Sequence, residues 1–158
     1  MAKEHRYLVN LNWEGNTGEG TANYRAYKRD YVLTAQGKEL LHGSSDPSFR
    51  GDASRYNPEE LFVASLSACH MLWYLHLCAD AGIIVEEYTD NATGLMVEDD
   101  MRGGYFKEVV LHPRVVISNP SKQAEAERLH ERANSMCFIA NSCNFPVTHR
   151  PEIVVKDK

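Results

Sequence analysis

The stretch Asn57-Pro58-Glu59-Glu60-Leu61-Phe62-Val63-Ala64-Ser65-Leu66-Ser67-Ala68-Cys69 decides how this chain folds. Asn57 is a side chain that caps helices, Pro58 suits the first helical position, and Glu60 stands where a capping box wants its carboxylate. The apolar run continues through Met71, Leu72, Trp73, Leu75, Leu77, Cys78 and Ala79, and Gly82 follows where a left-handed residue ends a helix. The spacing predicts a helix over residues 57–81. Apolar side chains fall on nearly every face, so the helix is expected to be surrounded by protein. Its length approaches the ~20 residues of a membrane span. Ser65, Ser67, His70, Tyr74 and His76 within it argue against exposure to lipid. The expectation is a buried central helix.

Working outward, Tyr7, Val9, Leu11 and Trp13 alternate with polar residues, the period of a half-buried strand. Residues 15–20 read as a turn, 24–27 and 31–34 as short strands, and 43–56 as a polar surface loop. Beyond the helix, residues 83–88, 92–98, 105–117 and 147–155 read as strands, with 99–104 as a hairpin connection. Asn119-Pro120 is expected to open a second helix. Ala126, Leu129, Ala133, Met136, Cys137 and Ala140 mark its inward stripe, so Cys137 is expected to face the core. The fold class is α+β: antiparallel sheets packed around a buried central helix, with a second, amphipathic helix, in a single domain over residues 1–158.

Composition narrows the function. The chain has 158 residues, 43% hydrophobic and 25% charged, which suits one globular domain. A net charge of −5 and the lack of a basic block argue against nucleic acid. The polar start at residues 1–6 gives no sign of a signal peptide, and four cysteines are too few for a disulfide scaffold. A cytoplasmic protein with free thiols is expected.

Those thiols are Cys69, Cys78, Cys137 and Cys143. Cys69 and Cys78 are nine residues apart on one helix and lie on opposite faces, so they cannot pair with each other. A zinc site drawn from Cys69, His70, His76, Cys78, Cys137 and Cys143 would lack both CxxC and HExxH spacing. A Cys-His hydrolase fares no better, because His70 diverges from Cys69 by ~100° around the helix. Taken singly, each cysteine is as readily a small core hydrophobe as a reactive thiol.

Taken together, the residues 57–69 resemble the core helix of the OsmC/Ohr family, the osmotically inducible and organic-hydroperoxide-resistance proteins. In that family Asn-Pro-Glu-Glu/Gln-Leu is followed by small residues and then by a catalytic Cys ten positions after the first Glu, the spacing of Glu59 and Cys69. Ala133-Asn134-Ser135-Met136-Cys137 looks like the end of the family's second helix, where the resolving Cys sits. The resemblance extends over residues 6–155. It implies a thiol-dependent peroxidase of organic hydroperoxides, with Cys69 as the peroxidatic thiolate and Cys137 as the resolving thiol. Cys143 competes for the second role. Glu59 matches the family carboxylate that orients an arginine over the thiolate. Arg50, in Phe49-Arg50-Gly51-Asp52, is the first choice for that arginine, with Arg55 and Arg25 as alternatives. No bound cofactor or metal is implied; the reductant is an external dithiol or lipoyl-type compound, and neither nucleic acid nor membrane is a partner.

Glu59 and Cys69 stand ~15 Å apart along one straight helix and cannot meet within it. They would meet if two copies of the helix crossed about a two-fold axis, so an intertwined homodimer with composite sites is expected, as in the family. The chain departs from the family pattern in several places. Gly15-Asn16-Thr17-Gly18 lacks the arginine of the hydroperoxide-resistance branch, and Ser44-Ser45-Asp46-Pro47 has no counterpart. Phe138 follows Cys137 where Pro is usual, and His70 stands where an aromatic is frequent. The alternative reading is a non-catalytic small-molecule or thiol-binding dimer with vestigial chemistry.

Overall fold

The capping box closes as the residues 57–60 spell it. In a computed structural model, which describes residues 3–101 and 103–156, the Asn57 side chain accepts the Glu60 N–H at 2.8 Å. The Glu60 carboxylate in turn accepts the Asn57 N–H at 3.1 Å. Helix α1 runs from there over Pro58–Asp80. Gly82, at φ 65°, ends it: the Ile83 N–H reaches back to the Cys78 carbonyl and the Gly82 N–H to that of Ala79. Residues 1, 2, 102, 157 and 158 lie outside the described residues, and with them the start of the N-terminal reading and the middle of the 99–104 connection.

The chain forms two compact units, Met1–Leu61 and Phe62–Lys158, with α1 beginning in the first and continuing through the second. The first holds an antiparallel sheet of β1 (Asn10–Trp13), β2 (Tyr31–Thr34) and β3 (Leu41–Gly43), in that order. Strand β1 starts three residues later than the alternation predicts, and its expected half-burial does not occur within the chain. Tyr7, Val9, Leu11 and Trp13 are all exposed, because β1 is the sheet's edge and nothing in its unit covers it.

The strand expected over 24–27 does not form either. The Arg29 guanidinium lies over the rings of Tyr24 and Tyr27 and donates to the carbonyls of both residues, groups a neighbouring strand would otherwise have satisfied. The loop before α1 contains one short helical turn, Pro47–Phe49, capped by the Asp46 side chain.

In the second unit, β4 (Val85–Asp90), β7 (Pro113–Ile117) and β9 (Glu152–Val155) form one sheet. Strands β5 (Thr93–Val97), β6 (Tyr105–Leu111) and β8 (Val147–His149) form another. The pairs β4–β7 and β5–β6 are antiparallel as expected, but β8 joins β6 and β9 joins β7 in parallel, so the sheets are mixed. The runs 105–117 and 147–155 each divide between the two sheets. Their breaks fall beside Pro113 and Pro151, which have no N–H to continue a ladder.

Helix α2 spans Gln123–Met136 and is preceded by a short turn, Pro120–Lys122, so it opens later than Asn119-Pro120 predicts. Asn119 does not cap it; its side-chain oxygen accepts the Ile84 N–H at 2.8 Å. Ala126, His130 and Ala133 are the buried face of α2, and Cys137 ends the helix in an extended conformation, leaving Ala140 beyond it.

Helix α1 is buried along a stripe and not all round. Leu66, His70, Tyr74, Leu77 and Cys78 are covered, while Leu72 on another face is 63% exposed. By length and hydropathy α1 could cross a membrane. Its polar groups nevertheless have protein partners: Ser67 bonds Asp90, His70 bonds His130, and the Tyr74 hydroxyl donates to the Ala126 carbonyl. The C-terminal half of the stripe packs with Val115, Ile117, Ala126 and Ala133. Leu66 packs with Val109 and Leu111, fringed by Phe62, Phe106 and Phe145.

Candidate active site

Cys69 lies mid-way along α1 and Cys137 immediately after α2, and the fold brings their thiols into contact as free cysteines. The two sulfurs have unequal surroundings. Cys137 is 1% exposed, whereas Cys69 is only half-buried. Burial first, and then the Cys69 thiol beside it, pushes the Cys137 thiol up to about 11. The Ala140 N–H, donated to the Cys137 sulfur at 3.4 Å, opposes that rise. The interior thiol is therefore protonated at neutral pH.

Cys69 opens onto a cavity of about 410 Å³ walled by Leu72, Trp73, His76 and Phe138. Trp73 is the corner post. Phe138 meets it edge-on at 5.5 Å and 81°, and His76 meets it at 5.8 Å and 74°. His76 and Asp80 form an exposed pair at 3.6 Å.

The remaining thiols stand apart. Cys78 is buried in the α1–α2 core, and burial raises its thiol. Cys143 donates to the Ile139 carbonyl at 3.3 Å and packs against the other core cluster. Among the described residues, no three His, Cys, Asp or Glu side chains are arranged to hold a metal ion.

The carboxylate and arginine candidates belong to the first unit. Glu59 is half-buried, and its charge, after burial, raises the Tyr31 phenol. The Tyr31 ring lies across Gly43, where a Cβ would come within 2.3 Å of it. Arg50 is exposed at φ 65° and, among the described residues, makes no ion pair with Glu59. Arg55 is half-buried between Glu14 at 3.8 Å and Asp52 at 3.7 Å, and Arg25 is exposed.

One cluster escaped the sequence reading. His70 turns away from Cys69, as the helical angle requires, and its Nε2 meets His130 Nδ1 at 2.9 Å with the rings 6° from coplanar. His130 stacks on Tyr74 at 3.8 Å, and His149 tilts against both imidazoles. Burial, followed by the neighbouring imidazoles, lowers His70 to about 4 and His130 to about 3. His70 Nδ1, His130 Nε2 and His149 Nδ1 are buried without a partner. A signal was present in the sequence: His130 falls four residues after Ala126 and three before Ala133, on the inward stripe.

Comparison with known proteins assigns the chain to a family. A profile of OsmC-like proteins matches residues 51–152. The chain belongs to the OsmC-like family. An OsmC-like protein of unknown function from Vibrio cholerae is similar in structure at 31% identity and a TM-score of 0.85, covering 94% of this chain and 100% of that one. An organic hydroperoxide resistance protein from Legionella pneumophila shares the fold at 20% identity and a TM-score of 0.68, covering 97% and 99%. One from Elizabethkingia anophelis, with bound thiocyanate, does so at 18% and 0.66, covering 98% and 100%. No curated protein matches the chain. In this chain α1, α2 and the residues after α2 carry a thiol pair and an aromatic cavity, and β8 adds His149 to the imidazole cluster.

Proposed function

We propose that this OsmC-like chain is a thiol-dependent peroxidase for organic hydroperoxides. The observation that carries the reading is the contact between a half-buried Cys69 at an apolar cavity and a buried Cys137 behind it. The Cys69 thiolate attacks the outer oxygen of ROOH; the S–O bond forms as the O–O bond breaks, and RO⁻ takes a proton to leave as ROH. Cys137 then attacks the Cys69 sulfenic acid, its proton leaves with the hydroxyl as water, and the two sulfurs join. A dithiol, of lipoyl type or another, returns two electrons by thiol–disulfide exchange, with no bound cofactor. In this reading Cys69 and Cys137 carry the chemistry, Glu59 orients an arginine, and Arg50 is that arginine ahead of Arg55 and Arg25.

The working form in this proposal is a cytoplasmic homodimer. Its motivation is the uncovered apolar surface of residues 7–13 and of Leu72, together with the ~15 Å that separates Glu59 from Cys69 on one helix. Light scattering at micromolar concentration is expected to give twice the chain mass; a folded monomer would remove the composite site. The decisive experiment follows consumption of cumene and tert-butyl hydroperoxide with a dithiol. Wild type is expected to turn over and Cys69→Ser to be inactive. A folded wild type that consumes neither peroxide would overturn the enzyme reading and leave the cavity as a binding site.

A further inference from the structure

Phe138 follows Cys137 directly, and the peroxide chemistry makes no use of its ring. It is 68% exposed, yet the ring leans edge-on against Trp73 and forms one wall of the Cys69 cavity. Its backbone is pinned: the Ser142 hydroxyl donates to the Phe138 carbonyl at 2.9 Å, and the Asn141 N–H to the Cys137 carbonyl at 2.9 Å. A large apolar ring on an anchored backbone, open to solvent beside the residue that ends α2 and leaning on Trp73, is a contact surface.

We infer that Trp73 and Phe138 are specificity-determining residues that select hydroperoxides bearing an aromatic ring, the ring lodging in the corner their two rings form while the peroxide oxygen faces Cys69. Three observations carry this. The two walls meet at 81°, so a flat ring stacked on one presents its edge to the other, satisfying both preferred aromatic geometries at once. The cavity, about 410 Å³, lies in the range of small-ligand sites and is larger than a tert-butyl group needs. Its lining is almost wholly apolar, with Leu72 completing the wall and His76 paired with Asp80, so shape and ring contact remain as the means of discrimination. A branched alkyl group gains the apolar contact but not the ring geometry.

This inference rests on Cys69 being the peroxidatic thiol, and the test separates the two. The ratio of kcat/KM for cumene hydroperoxide over tert-butyl hydroperoxide is measured for wild type, Phe138→Ala, Phe138→Tyr and Trp73→Leu. In parallel, calorimetry measures binding of cumyl alcohol, the unreactive product, to Cys69→Ser with and without Phe138→Ala. Wild type is expected to favour the cumyl substrate. Phe138→Ala and Trp73→Leu should cut the ratio about five- to tenfold, since one aromatic pair supplies up to about that factor. Phe138→Tyr should retain the ratio, and cumyl alcohol should bind Cys69→Ser several-fold tighter than the double variant. Equal losses on both peroxides, with no change in ratio or in cumyl alcohol binding, would overturn the inference and leave the peroxidase reading standing. Ring-dependent binding without turnover of any peroxide would overturn the peroxidase reading and leave the aromatic site.

Discussion

Cys69 and His70 are neighbours in the chain, and α2 with the residue that ends it supplies a like partner to each: Cys137 to the thiol, His130 to the imidazole. The helices run antiparallel, so positions rising along α1 (69, 70, 74) meet positions falling along α2 (137, 130, 126). The two layers are built alike and end differently. The thiol layer sits at the edge of the contact, open on the Cys69 side to an aromatic cavity. The imidazole layer is closed by Tyr74 and His149, and three ring nitrogens in it have no partner. A turn of ~100° between adjacent residues is enough to divide an open position from a sealed one. Access thus distinguishes the layers, because both contain groups with useful chemistry.

The largest effect should follow from breaking the thiol layer. Cys69→Ser is expected to lose peroxide turnover altogether while remaining folded, since only the thiolate is the nucleophile. Cys137→Ser should still consume about one equivalent of peroxide per Cys69 and then stall, with the sulfenic acid trapped by dimedone. Loss of that first equivalent in Cys137→Ser would show that the two sulfurs do not divide the work as proposed.

Breaking the imidazole layer should change stability. An unfolded histidine titrates near 6.5, whereas His70 and His130 are held at about 4 and about 3. Between those values the unfolded chain binds more protons than the folded one, so stability is full above pH 6.5 and falls as the pH drops towards 4. For His70 alone the loss over that window is about 3 kcal/mol, from ~1.4 kcal/mol per pH unit. Urea unfolding at pH 7.5, 6 and 5 reads it. A His70→Leu/His130→Leu variant removes both partners of the buried bond together and should flatten the slope. An equally steep slope in the folded double variant would assign the acid sensitivity to carboxylates instead.

The contrast between the layers also marks where the sequence was legible. Asn57, Glu60 and Gly82 act within a turn of where they stand, so both ends of α1 could be read from the residues alone. The thiol contact followed from a resemblance and from Cys137 lying on an inward stripe. The imidazole layer needed His70, His130 and His149 from three separate elements, and a stripe counted by apolar residues passes over a buried histidine. Burial of β1 is not legible in the sequence, because alternation tells which face is apolar and says nothing about what covers it. The mixed sheets depend on where the chain crosses after α2, another non-local property. Asn57→Ala tests the legible part: losing a capping side chain should cost about 1 kcal/mol in urea unfolding. The spacing of both layers should be kept, with the peroxide ratio unchanged; a fall in that ratio would tie the helix start to the cavity.

The smallest effect is expected at Cys143, six residues beyond Cys137 and the one other thiol close enough in sequence to replace it. Its sulfur donates to the Ile139 carbonyl and packs beside Ala140, Phe145 and Val147, in a cluster around Leu66, Val109 and Leu111. Burial raises its thiol without a neighbouring sulfur contributing, whereas at Cys137 the Cys69 thiol adds to the rise. Replacing one sulfur by an oxygen that can make the same bond to Ile139 changes little in the packing. Cys143→Ser should therefore change turnover by less than about twofold, since nothing at the reacting sulfur is removed. Peptide mapping after one equivalent of hydroperoxide should still show Cys69 joined to Cys137. A Cys69–Cys143 bridge in wild type, lost together with turnover in Cys143→Ser, would transfer the resolving role. The buried Cys137 would then belong with the sealed imidazoles, and the open thiol layer would have Cys69 alone.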